Sequence, residues 1–202
     1  EDDARERAWL ERREQDRRAQ REALPAQGAP LLGGSDIYRP VERAEEPTVH
    51  TVSVCPLASV GRGALACRST AMVGPQVNQW YVTADHAYLW TGSEGHYCRD
   101  DAGRPPPTIA DARQALLYRV PLTGARPDLI AARGTPPDQF AMQADDSNLY
   151  ALLRLEAGGC RQSWNDPAHL AFATIPQASF SATRAELPQG AFVPLPGTPT
   201  YQ

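Results

Sequence analysis

From residue 48 onward the apolar residues come in short runs, and almost every run is closed by proline, glycine or an Asp/Asn turn. An amphipathic helix needs about 10–12 residues of continuous periodicity, so runs of roughly four to eight leave short strands and turns as the available structure. The 19 Pro and 15 Gly in 202 residues are the source of this punctuation. Hydrophobic residues make up 42% and charged residues 22%, a balance that supports a buried core. The run His50-Thr51-Val52-Ser53-Val54-Cys55 alternates polar and apolar, the period-two pattern of a half-buried strand.

Further strands are expected at Ala66 to Val73, Gln79 to Val82 and His86 to Trp90, the last two joined by a tight turn at Ala84-Asp85. A second set follows at Ala115 to Leu122, Leu129 to Arg133, Gln139 to Gln143 and Leu149 to Leu155, with Asp145-Asp146-Ser147-Asn148 as a hairpin turn. Another strand begins at residues 168–174. Four short antiparallel strands in about 40 residues is the size of one propeller blade. The stretch Tyr81 to Leu89 echoes Phe140 to Tyr150: each is a strand, a turn carrying Asp, and a strand with an aromatic beside Leu. The expected fold is mainly β, built of antiparallel propeller-like blades as an incomplete propeller. Little more than two blades are countable, so either the chain is a fragment or another chain completes its sheets.

Residues 1–24 are dominated by Arg, Glu, Asp, Gln and Ala and end at Pro25, which predicts a charged α-helix. Its apolar stripe is thin, so docking would rest on Trp9 and Leu10. Residues 25–47 read as an extended linker with Ile37-Tyr38 as a short anchor, and residues 48–202 as the β-domain. Within that domain residues 93–113, with Arg104-Pro105-Pro106-Pro107, read as a surface loop. The helix and this loop are polar, dispensable for strand geometry, and therefore the expected binding elements.

The net charge of -4 gives no attraction to nucleic acid or anionic membrane, and no apolar stretch of about 18 residues exists to insert into a bilayer. All 20 basic residues are Arg, the mark of a GC-rich codon bias or of Arg forks recognising carboxylates or sugars. Opening at Glu1-Asp2-Asp3, the chain reads as a mature or trimmed product. Cys55, Cys67, Cys98 and Cys160 form no C-x-x-C pair, and an even number points to two disulfides in an oxidising compartment. Cys55 and Cys67 flank one hairpin and are expected to close it. Cys98 and Cys160 follow corresponding strands of adjacent blades and are expected to pair with each other.

His96, Cys98, Asp100 and Asp101 have the chemistry to ligate a metal, but the disulfide is the simpler use of Cys98, and no metal or cofactor is expected. Asp145-Asp146 with Asn148 lacks the glycine of a calcium loop and is what a hairpin turn wants. No G-x-S-x-G elbow, Walker loop or dinucleotide fingerprint occurs, so no catalytic residue is assigned. His50, His86 and His169 sit in strand patterns that suit structural roles. Trp80, Tyr81, Tyr88 and Trp90 gather near one hairpin, as a sugar-stacking platform or as core filler.

Three segments carry a family likeness. They are Asp36-Ile37-Tyr38-Arg39-Pro40 with Thr48 to Val54; Ala71-Met72-Val73-Gly74 through Tyr81 to Leu89; and Leu117 to Leu122 with Gly134-Thr135-Pro136-Pro137-Asp138-Gln139-Phe140-Ala141-Met142. Over about residues 35–156 the chain resembles the bacterial secreted β-propeller proteins distantly related to WD40 repeats. Asp138 stands where that pattern has Asn, and the cysteines and residues 93–113 lie outside it. The resemblance implies an exported propeller and no particular activity. The function expected is therefore a non-catalytic interaction or structural subunit of a cell-envelope or extracellular assembly, secreted, periplasmic or on the cell surface, with other protein chains as partners. The alternative is a propeller enzyme or carbohydrate-binding domain with its site on the axial face.

Overall fold

The computed structural model describes residues 9, 11–16, 18, 32–39, 47–59, 66–92, 96–97, 109–110, 112, 114–155, 160–161 and 169–196. Described residues of the N-terminal segment have α-helical backbone, and the remainder is β structure with short 3-10 turns. The strands are β1 (Ile37–Tyr38), β2 (Thr48–Val54), β3 (Arg68–Gly74), β4 (Val77–Val82), β5 (His86–Thr91), β6 (His96–Tyr97), β7 (Gln114–Pro121), β8 (Asp128–Arg133), β9 (Met142–Ala144), β10 (Asn148–Leu155), β11 (Cys160–Arg161), β12 (His169–Pro176) and β13 (Phe192–Pro194).

They form a mixed sheet β1-β3-β2, an antiparallel sheet β4-β5-β7-β8, an antiparallel sheet β9-β10-β12-β13, and a parallel pair β6-β11. We call the first three the front, middle and rear sheets. The middle sheet is buried on both faces. Ala87, Leu89, Leu116, Tyr118, Val120, Leu129 and Ala131 meet Met72, Val52 and Tyr38 of the front sheet. Tyr88, Trp90, Leu117, Ile130 and Ala132 meet Leu149, Ala151, Leu153, Ala173, Ile175 and Phe192 of the rear sheet. A strand covered on both sides loses its polar alternation, which is why β5 and β7 read as continuous apolar runs.

This regroups the expected strands. The run from Ala115 to Leu155 is not one blade: its first two strands close the middle sheet and its last two open the rear one. The echo between Tyr81 to Leu89 and Phe140 to Tyr150 nevertheless has a structural meaning, because β4-β5 and β9-β10 are the first hairpins of their sheets. Their turns match in chemistry. Thr83 Oγ1 accepts from the Asp85 and His86 amides at 3.3 and 3.0 Å, and Asp145 Oδ1 from the Ser147 and Asn148 amides at 2.8 and 2.7 Å. The expected strand at Gln139 to Gln143 is half 3-10 turn, because Asp138 caps the Phe140 and Ala141 amides at 2.8 and 3.0 Å. Strands β6, β11 and β13 were not anticipated; each spans only two or three residues.

The Ile37-Tyr38 anchor is a strand, so the front sheet reaches back ahead of residue 48, and Tyr38 packs into its core. Residues 93–113 depart from a plain surface loop at their described positions. Ala112 is buried against Leu155 and Ala171, and the Ala110 and Ala112 carbonyls accept from Arg133 Nη1 at 2.9 and 3.2 Å. The Cys55–Cys67 disulfide closes the β2–β3 hairpin as expected. Removing that loop's freedom from the unfolded chain is worth roughly 3 kcal/mol.

One glycine fixes the join between middle and rear sheets. Gly134 has φ of 73°, and its carbonyl accepts the buried Trp90 indole N–H at 2.9 Å. A Cβ there would lie 2.7 Å from the Arg154 carbonyl oxygen. Gly134→Ala is therefore expected to destabilise the fold by about 2 kcal/mol or more, from the left-handed backbone and the clash together. Thermal or urea unfolding checks this, and an unchanged midpoint would show that the join tolerates movement.

Candidate functional site

Among the described residues a connected polar cluster lies where the middle and rear sheets meet. Arg119 is the single charge in the apolar run from Ala115 to Leu122, set there by the period of β7. Its guanidinium grips Asp128 on β8 with two nitrogens, Nε to Oδ1 at 2.9 Å and Nη2 to Oδ2. Its Nη1 donates to both the backbone and side-chain oxygens of Gln177, each at 3.0 Å, and its Cζ lies 4.5 Å from the centre of the Phe180 ring. Gln177 Nε2 in turn donates to the Tyr88 hydroxyl at 2.8 Å. The cluster thus ties β5, β7 and β8 to the segment that follows β12.

Burial and the neighbouring Arg119 charge hold the His86 imidazole below its usual range. Burial also pushes the Tyr88 phenol up, offset in part by its hydrogen bond to Gln177. Arg119, Asp128 and Gln177 were not singled out from sequence, although a lone Arg inside an apolar strand was a visible signal. Chemically the arrangement is a sheet-to-sheet bolt, since the Arg119 donors are matched by oxygens of the protein itself.

The aromatic group near the β4–β5 hairpin is divided. Trp90 and Tyr88 are core residues with 0% and 1% exposure, which corrects any reading of the four as one sugar platform. Trp80, at 58% exposure on edge strand β4, and Phe140, at 86% on the 3-10 turn that contacts β4, remain outward. Trp9 is 54% exposed with Arg13 over its ring at 4.7 Å, and Leu10 lies outside the described residues.

Among the described residues no group of three or more His, Cys, Asp or Glu side chains is placed to hold a metal ion. Cys98, Asp100 and Asp101 lie outside those residues. The pairing of β6 with β11 sets Cys160 opposite His96 in the backbone, and the expected Cys98–Cys160 bridge falls outside the described residues. Backbone amides of Asn148 and Ser147 hold the Asp145 carboxyl below its usual range, which makes it a turn residue. His50 Nε2 donates to the Pro75 carbonyl at 2.7 Å, a structural role.

Among the described residues the outer faces of the two end sheets carry exposed apolar side chains. On the rear sheet Tyr150, Leu152, Phe172 and Val193 share the outer face, with Tyr150 stacked on Phe172 at a centroid separation of 6.0 Å. Phe172 and Val193 are 38% and 57% exposed. On the front sheet Ile37, Val49, Thr51, Ala71 and Val73 share the outer face, where Val49 is 60% exposed and Ala71, on the central strand, is fully buried.

A pH test follows from His86. Its proton is bound more weakly in the folded protein than in the unfolded chain. Stability from this group is therefore full above about pH 6.5 and declines as the pH falls through that value. The unfolding midpoint is expected to drop between pH 7.5 and 5.5, and by less in His86→Gln; parallel profiles would contradict this. Comparison with known proteins yields no matching family model, no matching curated protein and no matching solved structure.

Proposed function

We propose that this chain is a non-catalytic, exported β-propeller-like module that serves as an interaction or structural subunit of a cell-envelope or extracellular assembly. The observation that carries the reading is the set of exposed apolar side chains on the outer faces of the two end sheets, Val49 at 60%, Phe172 at 38% and Val193 at 57% exposure. Scattered exposed apolar residues are ordinary on a soluble protein, but a whole sheet face with stacked aromatics is a contact surface. The polar cluster at Arg119 is spent on holding sheets together, which favours scaffold over chemistry. The Cys55–Cys67 disulfide fits an oxidising compartment, and among the described residues no helix is long and apolar enough to cross a membrane. The resemblance to secreted propeller proteins supports the same picture; the Cys98–Cys160 bridge is a separate part of the proposal, drawn from the even number of cysteines.

A second reading, carbohydrate binding, draws on the outward Trp80 and Phe140 at the β4 edge. Aromatic faces stack on sugars, but these two have no convergent polar groups described beside them.

Cross-linking in the native source followed by peptide mapping without reduction tests the main reading. The expected result is both disulfides and cross-links from the end sheets to other protein chains. Four free thiols would contradict export, and a chain recovered alone with unmodified end sheets would contradict an assembly subunit.

A further inference from the structure

Strands β2 and β3 of the front sheet correspond to β7 and β8 of the middle sheet. Each pair is the last antiparallel hairpin before the chain moves to the next sheet. The last strands run the same way. Arg68, at the start of β3, donates to the Thr123 carbonyl in the turn before β8. Past the end of β3 the Gln76 carbonyl accepts the Gly92 amide at 3.2 Å, at the end of the middle sheet where β8 also finishes. Both outer edges are occupied, that of β3 by β1 and that of β8 by bridges to Ser181 and Glu186. The other edge of β7 is taken by β5, and that of β12 in the rear sheet by β10. On the matching edge of β2 no described strand pairs.

The middle sheet carries the mark of this difference. Trp80 and Val82 of β4 stand opposite Leu89 and Ala87 of β5, so all four share the face turned to the front sheet. Ala87 and Leu89 are buried there, whereas Trp80 is 58% and Val82 47% exposed. On the other face of β4, Tyr81 packs against the core to which β9 and β10 contribute Met142, Leu149, Ala151 and Leu153. The first two strands of the rear sheet thus cover one face of the middle sheet, and the front sheet has no described counterpart to cover the other. The free edge of β2 and the apolar floor of Trp80 and Val82 form one corner. The edge itself, Thr48–Val54, holds no Asp, Glu, Lys, Arg or Pro, the residues that guard an edge strand against pairing.

We propose that this corner is a strand-acceptor site: an extended segment of another protein chain pairs with β2 through its backbone and lays alternate apolar side chains on Trp80 and Val82. The proposal rests on the interaction-subunit reading above and names the site and the chemistry of the partner. Backbone pairing supplies affinity, and the apolar floor selects the side chains. Strand β10 is the template for the donor, with Leu149, Ala151, Leu153 and Leu155 buried at alternate positions. The stretches of this sequence outside the described residues are rich in charge, Pro and Gly and hold no such period-two apolar run, so none of them has the donor's pattern. A second copy is a poor occupant. Antiparallel pairing of β2 with its equivalent would bring that copy's middle sheet into the layer that β4 and β5 already fill. A slender donated strand brings no such layer with it.

The test uses the full 202-residue chain and a synthetic peptide of residues 142–155, the hairpin that fills the matching place in the rear sheet. Anisotropy titration of the labelled peptide should show binding, and bound peptide should slow amide exchange in β2 about tenfold or more. A peptide carrying Ala151→Pro should not bind, because proline breaks the ladder. Trp80→Asp and Val82→Asp, both at exposed positions, should weaken binding about tenfold or more while the circular dichroism spectrum stays unchanged. No binding, no slowing in β2, or equal binding by both variants would overturn the acceptor site. A photo-cross-linker carried at position 80 in the native source then assigns the donor. Adducts with a period-two apolar segment of another protein are expected. Adducts with a second copy, or with flanking sequence of the same polypeptide, would overturn the partner assignment. Cross-links from the end sheets with none from position 80 would sink this site and leave the subunit reading standing.

Discussion

Burial of the middle sheet on both faces is the constraint from which the rest of the fold follows. Strands β5 and β7 have no solvent side, so they must place apolar residues at consecutive positions and pass their few polar groups to specific partners. Thr91 donates to the Leu116 carbonyl at 2.9 Å, the Trp90 indole to Gly134, and Arg119 to Asp128 and Gln177. Each partner sits on a neighbouring strand or on the joining segment of a neighbouring sheet. Satisfying buried donors in this sheet therefore dictates where its neighbours lie.

The same logic explains the front and rear sheets. Among the described residues the outer strands β2 and β13 and the central strand β10 each keep one side exposed or half-exposed, whereas β3 of the front sheet is buried at consecutive positions from Ser69 to Met72. In β10 Leu149, Ala151, Leu153 and Leu155 are buried while Asn148, Tyr150, Leu152 and Arg154 are not. The outward set is apolar at Tyr150 and Leu152, where a solvated face would carry charge. A sheet that keeps apolar residues on its open side is prepared for a further layer, and this gives the interaction reading its physical content.

Much of the strand inventory was legible in the sequence because Pro, Gly and Asp/Asn turns delimit the runs. The Cys55–Cys67 bridge was legible because the two cysteines flank one hairpin. The grouping of strands into sheets was not, because the runs 115–122 and 129–133 look equally able to pair forward or backward. The decision is made by long-range contacts, such as Trp90 with Gly134, that leave no local mark. The Arg119 cluster was hidden for the same reason: Gln177 and Phe180 lie far along the chain from β7. Ala112 was misjudged as part of a surface loop because its neighbours in sequence are polar, whereas its burial is owed to Leu155 and Ala171.

Amide hydrogen exchange resolved by strand tests the doubly covered middle sheet most directly. The slowest amides should lie in β5 and β7, with β2 and β13, which sit on open edges, exchanging orders of magnitude faster. Exchange in β7 as fast as in β2 would contradict a stack organised around that sheet.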